Sequence, residues 1–238
     1  MDSDIKSIKE KLRIASLLAV NAGFIDAYTF FHFQGRFAGA QTGNLVQAGI
    51  ALAQGNWQLT GNFLMPILFF MVGIAFKTVV THIRVKHKLD STTYLLWVQL
   101  IFIWLFVTFY SAFFQVNGTL EISILSFIMA IQMNNFTVTH GLGYGSIFST
   151  ANMRSFAQGL VQYGLTRDKA DLKKAGVYFS LVFSFLTGAV MSTWLQYFFA
   201  GWTLYGSVII LVIVIYIFHS ELVNMKKYLL RSYNSLDK

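Results

Sequence analysis

Asp26, His32, Arg36, Gln41, Thr42, Asn44 and Gln47 lie between Ala22 and Leu52, in a stretch otherwise apolar enough for a bilayer, with glycines at 23, 35, 39, 43 and 49. A carboxylate deep in a membrane helix costs about 2.5–3.5 kcal/mol on insertion scales, so Asp26 should face a partner or a wet cavity. Two roles suit it. It could titrate and couple a proton or cation, or it could be a hydrogen-bond acceptor bridging its helix to the broken segment that follows. Thr42-Gly43-Asn44 suits a helix start, where Thr or Asn can cap. Free N–H groups there concentrate partial positive charge, which favours an anion or a carboxylate head. The same tripeptide could equally be only a cap that lets broken helices pack.

The pattern returns 108 residues later. Ala22, Thr29, His32, Gly35, Thr42, Asn44 and Leu52 map on Ala130, Thr137, His140, Gly143, Thr150, Asn152 and Leu160, seven identities in 31 ungapped positions. Chance gives about two at ordinary residue frequencies. This is an internal duplication. A weaker match at an offset of 115 pairs Phe70 with Phe185, Gly73 with Gly188 and Thr78 with Thr193. The repeats differ in charge: Asp26 maps on Asn134, and Val46 on Arg154. Arg154 could be an anion ligand, a counter-ion of Asp26, or a side chain snorkelling to water. His32 and His140 are candidate proton relays, although an interfacial His more often only hydrogen-bonds locally.

The elements that must hold these residues are membrane helices. Of 238 residues, 55% are hydrophobic and 12% charged, against about 25% charged in a soluble domain. Apolar runs fall at 12–33, 37–54, 58–83, 93–116, 120–139, 145–163, 175–199 and 202–218. The class is an all-α polytopic membrane protein, one membrane domain over 1–238 with repeats at about 12–116 and 119–218. The first run, too charged upstream for a cleaved signal, is expected to stay as an anchor. The absence of cysteine excludes disulfides and thiolate chemistry. The net charge of +8 is read as membrane orientation rather than nucleic-acid binding, because Lys and Arg gather in short loops.

Those loops fix an expected topology. The N-terminus, 84–88, 167–174 and the tail are basic and hence cytoplasmic, whereas 54–58, 117–119 and 200–202 lack basic residues. Three runs lie between the N-terminus and 84–88, where only an even number can cross. The weak run 37–54 is therefore re-entrant. Its helix from about 44 rises only ~16 Å, half of a ~30 Å core. The same parity makes 145–163 re-entrant. Six spans and two half-helices in inverted repeats result, an architecture common among secondary transporters.

Gly23-Phe24-Ile25-Asp26-Ala27 and Thr42-Gly43-Asn44 resemble the start of the YoaK/DUF1275 family of small bacterial membrane proteins, and length and order of runs agree over nearly the whole chain. The resemblance implies a multi-pass protein of the bacterial cytoplasmic (inner) membrane and supplies no substrate. From the residues, the expected function is a small secondary transporter or channel-like permease taking a small anionic solute at the repeat interface. Its site would comprise Asp26, Thr42, Gly43, Asn44, Asn134, Thr150, Asn152 and Arg154. The rival is a non-transporting scaffold, lipid-handling or accessory protein. No nucleophile–base pair, phosphate loop or metal-ligand set is apparent, so no enzyme, cofactor or metal is expected. The expected partners are the lipid bilayer and a small solute or ion; a homodimer would suit a protein of this size.

Overall fold

The computed structural model describes residues 8, 10–113, 118–147 and 149–236; the end of the fourth run at 114–116, and Asn117, lie outside them. Apolar segments in lipid must satisfy their own backbone, and helices do so. They are α1 (Leu12–His32), α2 (Gln41–Ala53), α3 (Trp57–Lys86), α4 (Ser91–Phe113), α5 (Gly118–Asn135), α6 (Ser149–Thr166), α7 (Lys169–Phe199) and α8 (Tyr205–Leu236). A 3₁₀ turn, Ala200–Leu204, joins α7 to α8. Side chains cap helix starts: Asn56 accepts the N–H of Leu59 on α3, Asp90 those of Thr92 and Thr93 on α4, and Asp168 that of Ala170 on α7.

The protein is an all-α membrane protein in class. Among the described residues its one departure is an antiparallel ribbon of two-residue strands, β1 (Val138–Thr139) with β2 (Leu142–Gly143), in the connection before α6. Four stretches are long and apolar enough to cross a membrane: Leu12–His32, Trp57–Lys86, Ser91–Phe109 and Lys169–Met225, the last holding both α7 and α8. α5 is not among them. It is enclosed by other helices, with Glu121, Ser123, Ser126, Gln132 and Asn135 buried, so its side chains answer to protein neighbours rather than to lipid. The segments expected at 37–54 and 145–163 begin later, at Gln41 and Ser149. At 1.5 Å per residue, α2 rises about 20 Å and α6 about 27 Å, against a hydrocarbon core of about 30 Å.

Packing crosses between the two halves of the chain. α1 lies along α7, and α3 along α5; α2 leans on α3, α6 on α7, and α4 contacts both α5 and α8. Glycines set the closest approaches. A Cβ on Gly23 would meet Phe185 O at 2.0 Å, and one on Gly188 would meet Val20 O at 1.9 Å. On the other pair, a Cβ on Gly73 would meet Phe127 O at 2.5 Å.

Two ends can be told apart. At one, Glu10 O accepts from the backbone N of His140 and from Thr139 Oγ1. There Lys11 donates to Glu221 at 2.5 Å, Arg13 pairs with the same carboxylate, Asn135 reaches Thr92 O, and Tyr178 reaches Gly143 O. The basic segments 84–88 and 167–174 adjoin these contacts in sequence. At the other end Arg36 Nη1 donates to Thr119 Oγ1 at 2.8 Å, Thr119 donates to Asn62, and Tyr28 reaches Gly201 O.

Candidate functional site

α1 carries Asp26 past the connection 33–40, which turns back toward α2. The Asp26 side chain is buried, and its Oδ1 accepts the N–H of Gly39 at 2.6 Å. Gly39 permits that approach, since a Cβ there would stand 3.1 Å from Oδ2 and 2.7 Å from Ile147 Cγ2. One residue earlier, Thr29 Oγ1 accepts the N–H of Ala38 at 3.2 Å. Asn44, fully buried in the first turn of α2, holds Phe37 from both sides. Its Oδ1 accepts the Phe37 N–H at 3.0 Å, and its Nδ2 donates to Phe37 O at 2.7 Å and to Gln41 Oε1 at 2.9 Å. The N–H groups of Phe37, Ala38 and Gly39, in the loop before α2, are therefore occupied by this chain's own side chains.

The second half repeats the clamp at the same spacing. Asn152, buried in the first turn of α6, donates from Nδ2 to Gly145 O at 2.9 Å, seven residues back, as Asn44 does to Phe37. Each Asn fastens a re-entering loop to the helix it introduces. Asn44→Ala strips three bonds and leaves buried backbone groups dry, at about 1–3 kcal/mol for an unsatisfied group. Asn152→Ala strips one. Thermal unfolding of the purified variants should therefore show both midpoints lowered, Asn44→Ala clearly the more; equal midpoints would contradict the clamp.

The first turns of α2 and α6 come together. Asp26, Thr42, Gly43 and Thr150 line one cavity of about 770 Å³, together with Thr193 and the flanking Phe30 and Phe31. Thr42, Thr150 and Thr193 are exposed, as are Phe30 and Phe31, so the cavity is accessible from outside the protein. Asp26 Oδ2 has no hydrogen-bond partner although it is buried. Asp26 thus divides its work: one oxygen ties down the loop, and the other is left unsatisfied among the cavity walls. Neither oxygen has a salt-bridge partner among the described residues.

The remaining expected site residues lie elsewhere. Asn44 and Asn152 stand behind the cavity as clamps. Asn134, the counterpart of Asp26, lines a different cavity between α3 and α5. Arg154 is exposed on α6 and is not in the wall around Asp26. His32 packs on the Tyr28 ring at 4.4 Å and the Phe31 ring at 5.3 Å, and its Nε2 has no hydrogen-bond partner. His140 is exposed in a tight turn with positive φ at the opposite end. The two histidines therefore stand at opposite ends of the structure.

One buried polar cluster has no clear sequence signature. Gln132 Oε1 accepts from Asn21 Nδ2 and from Gln99 Nε2, each at 2.8 Å. Gln132 Nε2 donates to Leu18 O at 2.9 Å, and Ser207 Oγ donates to Asn21 Oδ1 at 2.6 Å. The cluster joins α1, α4, α5 and α8. Its only trace in the sequence is the presence of amides inside apolar runs; their mutual pairing depends on helix packing.

A family model described as "Protein of unknown function (DUF1275)" matches residues 14–217. No curated protein and no solved structure matches the chain.

Proposed function

We propose that this chain, which belongs to the DUF1275 family of proteins of unknown function, is a small membrane permease with its solute site in the cavity at Asp26. The observation that carries the reading is the unpartnered Asp26 Oδ2 in a cavity walled by the starts of two short helices. In a bilayer an ionisable group is retained against a cost of a few kcal/mol and is by default functional. Here that default is strengthened, because only one of its oxygens is spent on structure.

The architecture is read as six spans and two half-helices in inverted repeats. The matched Asn clamps, the matched glycine seams at Gly73 and Gly188, and the cross-half pairing of α1 with α7 and α3 with α5 support it. α2 and α6 enter from opposite faces, and α6 runs out into the basic loop at 167. The gathering of basic segments at one end supports cytoplasmic N- and C-termini in a bacterial cytoplasmic membrane. Substrate sites at the repeat interface, beside discontinuous helices, are the usual place in such folds.

The charge of the solute is revised from the sequence expectation. An anion at this cavity would meet the Asp26 carboxylate, and the N–H groups of Phe37, Ala38 and Gly39 in the loop before α2 are already taken by Asn44, Thr29 and Asp26. The open position is an acceptor oxygen. A small cation or a hydrogen-bond-donating solute fits it, and so does a proton exchanged against one. The protein acts by binding and passage, without covalent chemistry on its solute.

The test is flux in proteoliposomes holding an internal pH dye, challenged with gradients of small metal cations and organic amines. Wild type should show a solute-dependent proton or solute flux above empty vesicles. Asp26→Asn, of the same shape, should cut it at least tenfold while still purifying as a folded species. A flux unchanged in Asp26→Asn, or none with any solute tried, would remove the permease reading and leave the rival, a membrane module whose polar core is structural.

A further inference from the structure

We infer that the cavity between α3 and α5 is a binding site for a phosphate-class anion, held at the basic end of the protein. It measures about 520 Å³ and is lined by Lys77, Thr78, Thr81, His82, Lys86 and Asn134, with Val85. The six α3 residues fall at i, i+1, i+4, i+5, i+8 and i+9, one continuous face of a helix. Three of the lining side chains are cationic or can become so, and none is acidic. Lys77, His82 and Lys86 take part in no ion pair with another described residue. Thr81 Oγ1 is buried within this wall and has no hydrogen-bond partner. Ammonium groups beside a free hydroxyl and an amide make a donor set for tetrahedral oxyanions.

Comparison with the first cavity sharpens the assignment. Asn134 stands where the other half has Asp26, Thr78 where it has Thr193, and Lys77 where it has Ser192. Two positions of the linings correspond, Asn134 with Asp26 and Thr78 with Thr193, so the carboxylate of the first cavity is an amide in the second, which adds Lys77, His82 and Lys86. The two cavities call for ligands of opposite charge, and this second assignment stands whether or not the first transports anything.

Two sources could supply the phosphate. Val79, Ile83 and Val85 are exposed on the same helix, a surface suited to acyl chains, and basic pockets between helices on the cytoplasmic side bind lipid head groups. Free phosphate from the aqueous side is the other source. Detergent-solubilised protein is titrated with phosphatidylglycerol, with phosphatidylcholine and with inorganic phosphate, and read by thermal midpoint and by native mass spectrometry. Phosphatidylglycerol should raise the midpoint of wild type, and phosphatidylcholine much less. In Lys77→Gln/Lys86→Gln the apparent affinity should fall roughly tenfold or more, at about one Lys-worth of attraction per removed charge. Lys173→Gln/Lys174→Gln, of the same net charge but on α7 away from the cavity, should bind as wild type does. Lys86→Gln alone, at the exposed end of α3, gives a smaller fall and serves if the double variant does not fold. A response to inorganic phosphate with the same variant dependence assigns the site to the free anion. Absence of binding to either source, or equal loss in the Lys173/Lys174 variant, overturns the assignment.

Discussion

Gly188→Leu should yield no monodisperse protein, whereas Gly176→Ala, on the same helix, should purify as wild type does. A Cβ at position 188 would sit 1.9 Å from Val20 O and 3.0 Å from Phe24 N. Ordinary contact begins at 3.4 Å, so α7 would have to retreat by about 1.5 Å. The obstruction is backbone, so no side-chain rotation relieves it. Retreat also empties the contact at Gly23, which meets Phe185 on the same seam. Overpacking usually costs about 1–3 kcal/mol; here two linked contacts fail together, against a total stability of about 5–15 kcal/mol. At Gly176 a Cβ meets nothing within 4 Å, and Ala in a helix interior gains up to about 1 kcal/mol over Gly. Fluorescence-detected size exclusion of the two variants decides the matter. Comparable profiles would mean that α1 and α7 are not in backbone contact.

The second large effect is expected at Gln132. Its side chain is the hub of the buried cluster, accepting from two amides and donating to Leu18 O. Gln132→Leu fills the volume but leaves Asn21 Nδ2 and Gln99 Nε2 dry and strips from Leu18 O the bond it accepts besides its helical one. Each dry group costs about 1–3 kcal/mol in soluble proteins. Hydrogen bonds between membrane helices average only about 0.6 kcal/mol, because the unfolded state finds partners too. The sum is therefore about 2–5 kcal/mol. Ser207→Ala removes one bond to Asn21 and should cost less than a third of that. Denaturation in mixed micelles orders the two; the cluster is not a hub if Ser207→Ala proves as damaging.

Much of the scaffold was legible because the bilayer simplifies the code. Long apolar runs leave the backbone little choice but helix, and each expected run is found within a few residues of its helix, apart from the seventh, whose helix begins earlier, at Lys169, and the eighth, whose helix continues to Leu236. α5 was visible as a run, yet its polar content misleads any reading by hydropathy: a helix wrapped by protein is selected for pairing, not for lipid. Thr42-Gly43-Asn44 and Thr150-Ala151-Asn152 do lie in the first turns of two helices, but no side chain caps the start of α2, whose N-cap is Ala40. Their division of labour was hidden. The threonines face the cavity, while the asparagines turn back seven residues to hold loop backbone, a relation that exists only once the chain re-enters. Asn134 was expected beside Asp26 because repeat partners were assumed to share a wall. The two residues line different cavities, Asp26 with the first turns of α2 and α6 and Asn134 with α3.

The seams at Gly23, Gly73 and Gly188 carry one more consequence. Each joins a helix from the first half to a helix from the second, so covalent order and mechanical order disagree. What moves or melts as a unit is a mixed couple, α1 with α7 or α3 with α5, and neither half of the chain owns a complete one. Parting the first half of the chain from the second would therefore break the close contacts at Gly23, Gly73 and Gly188 together.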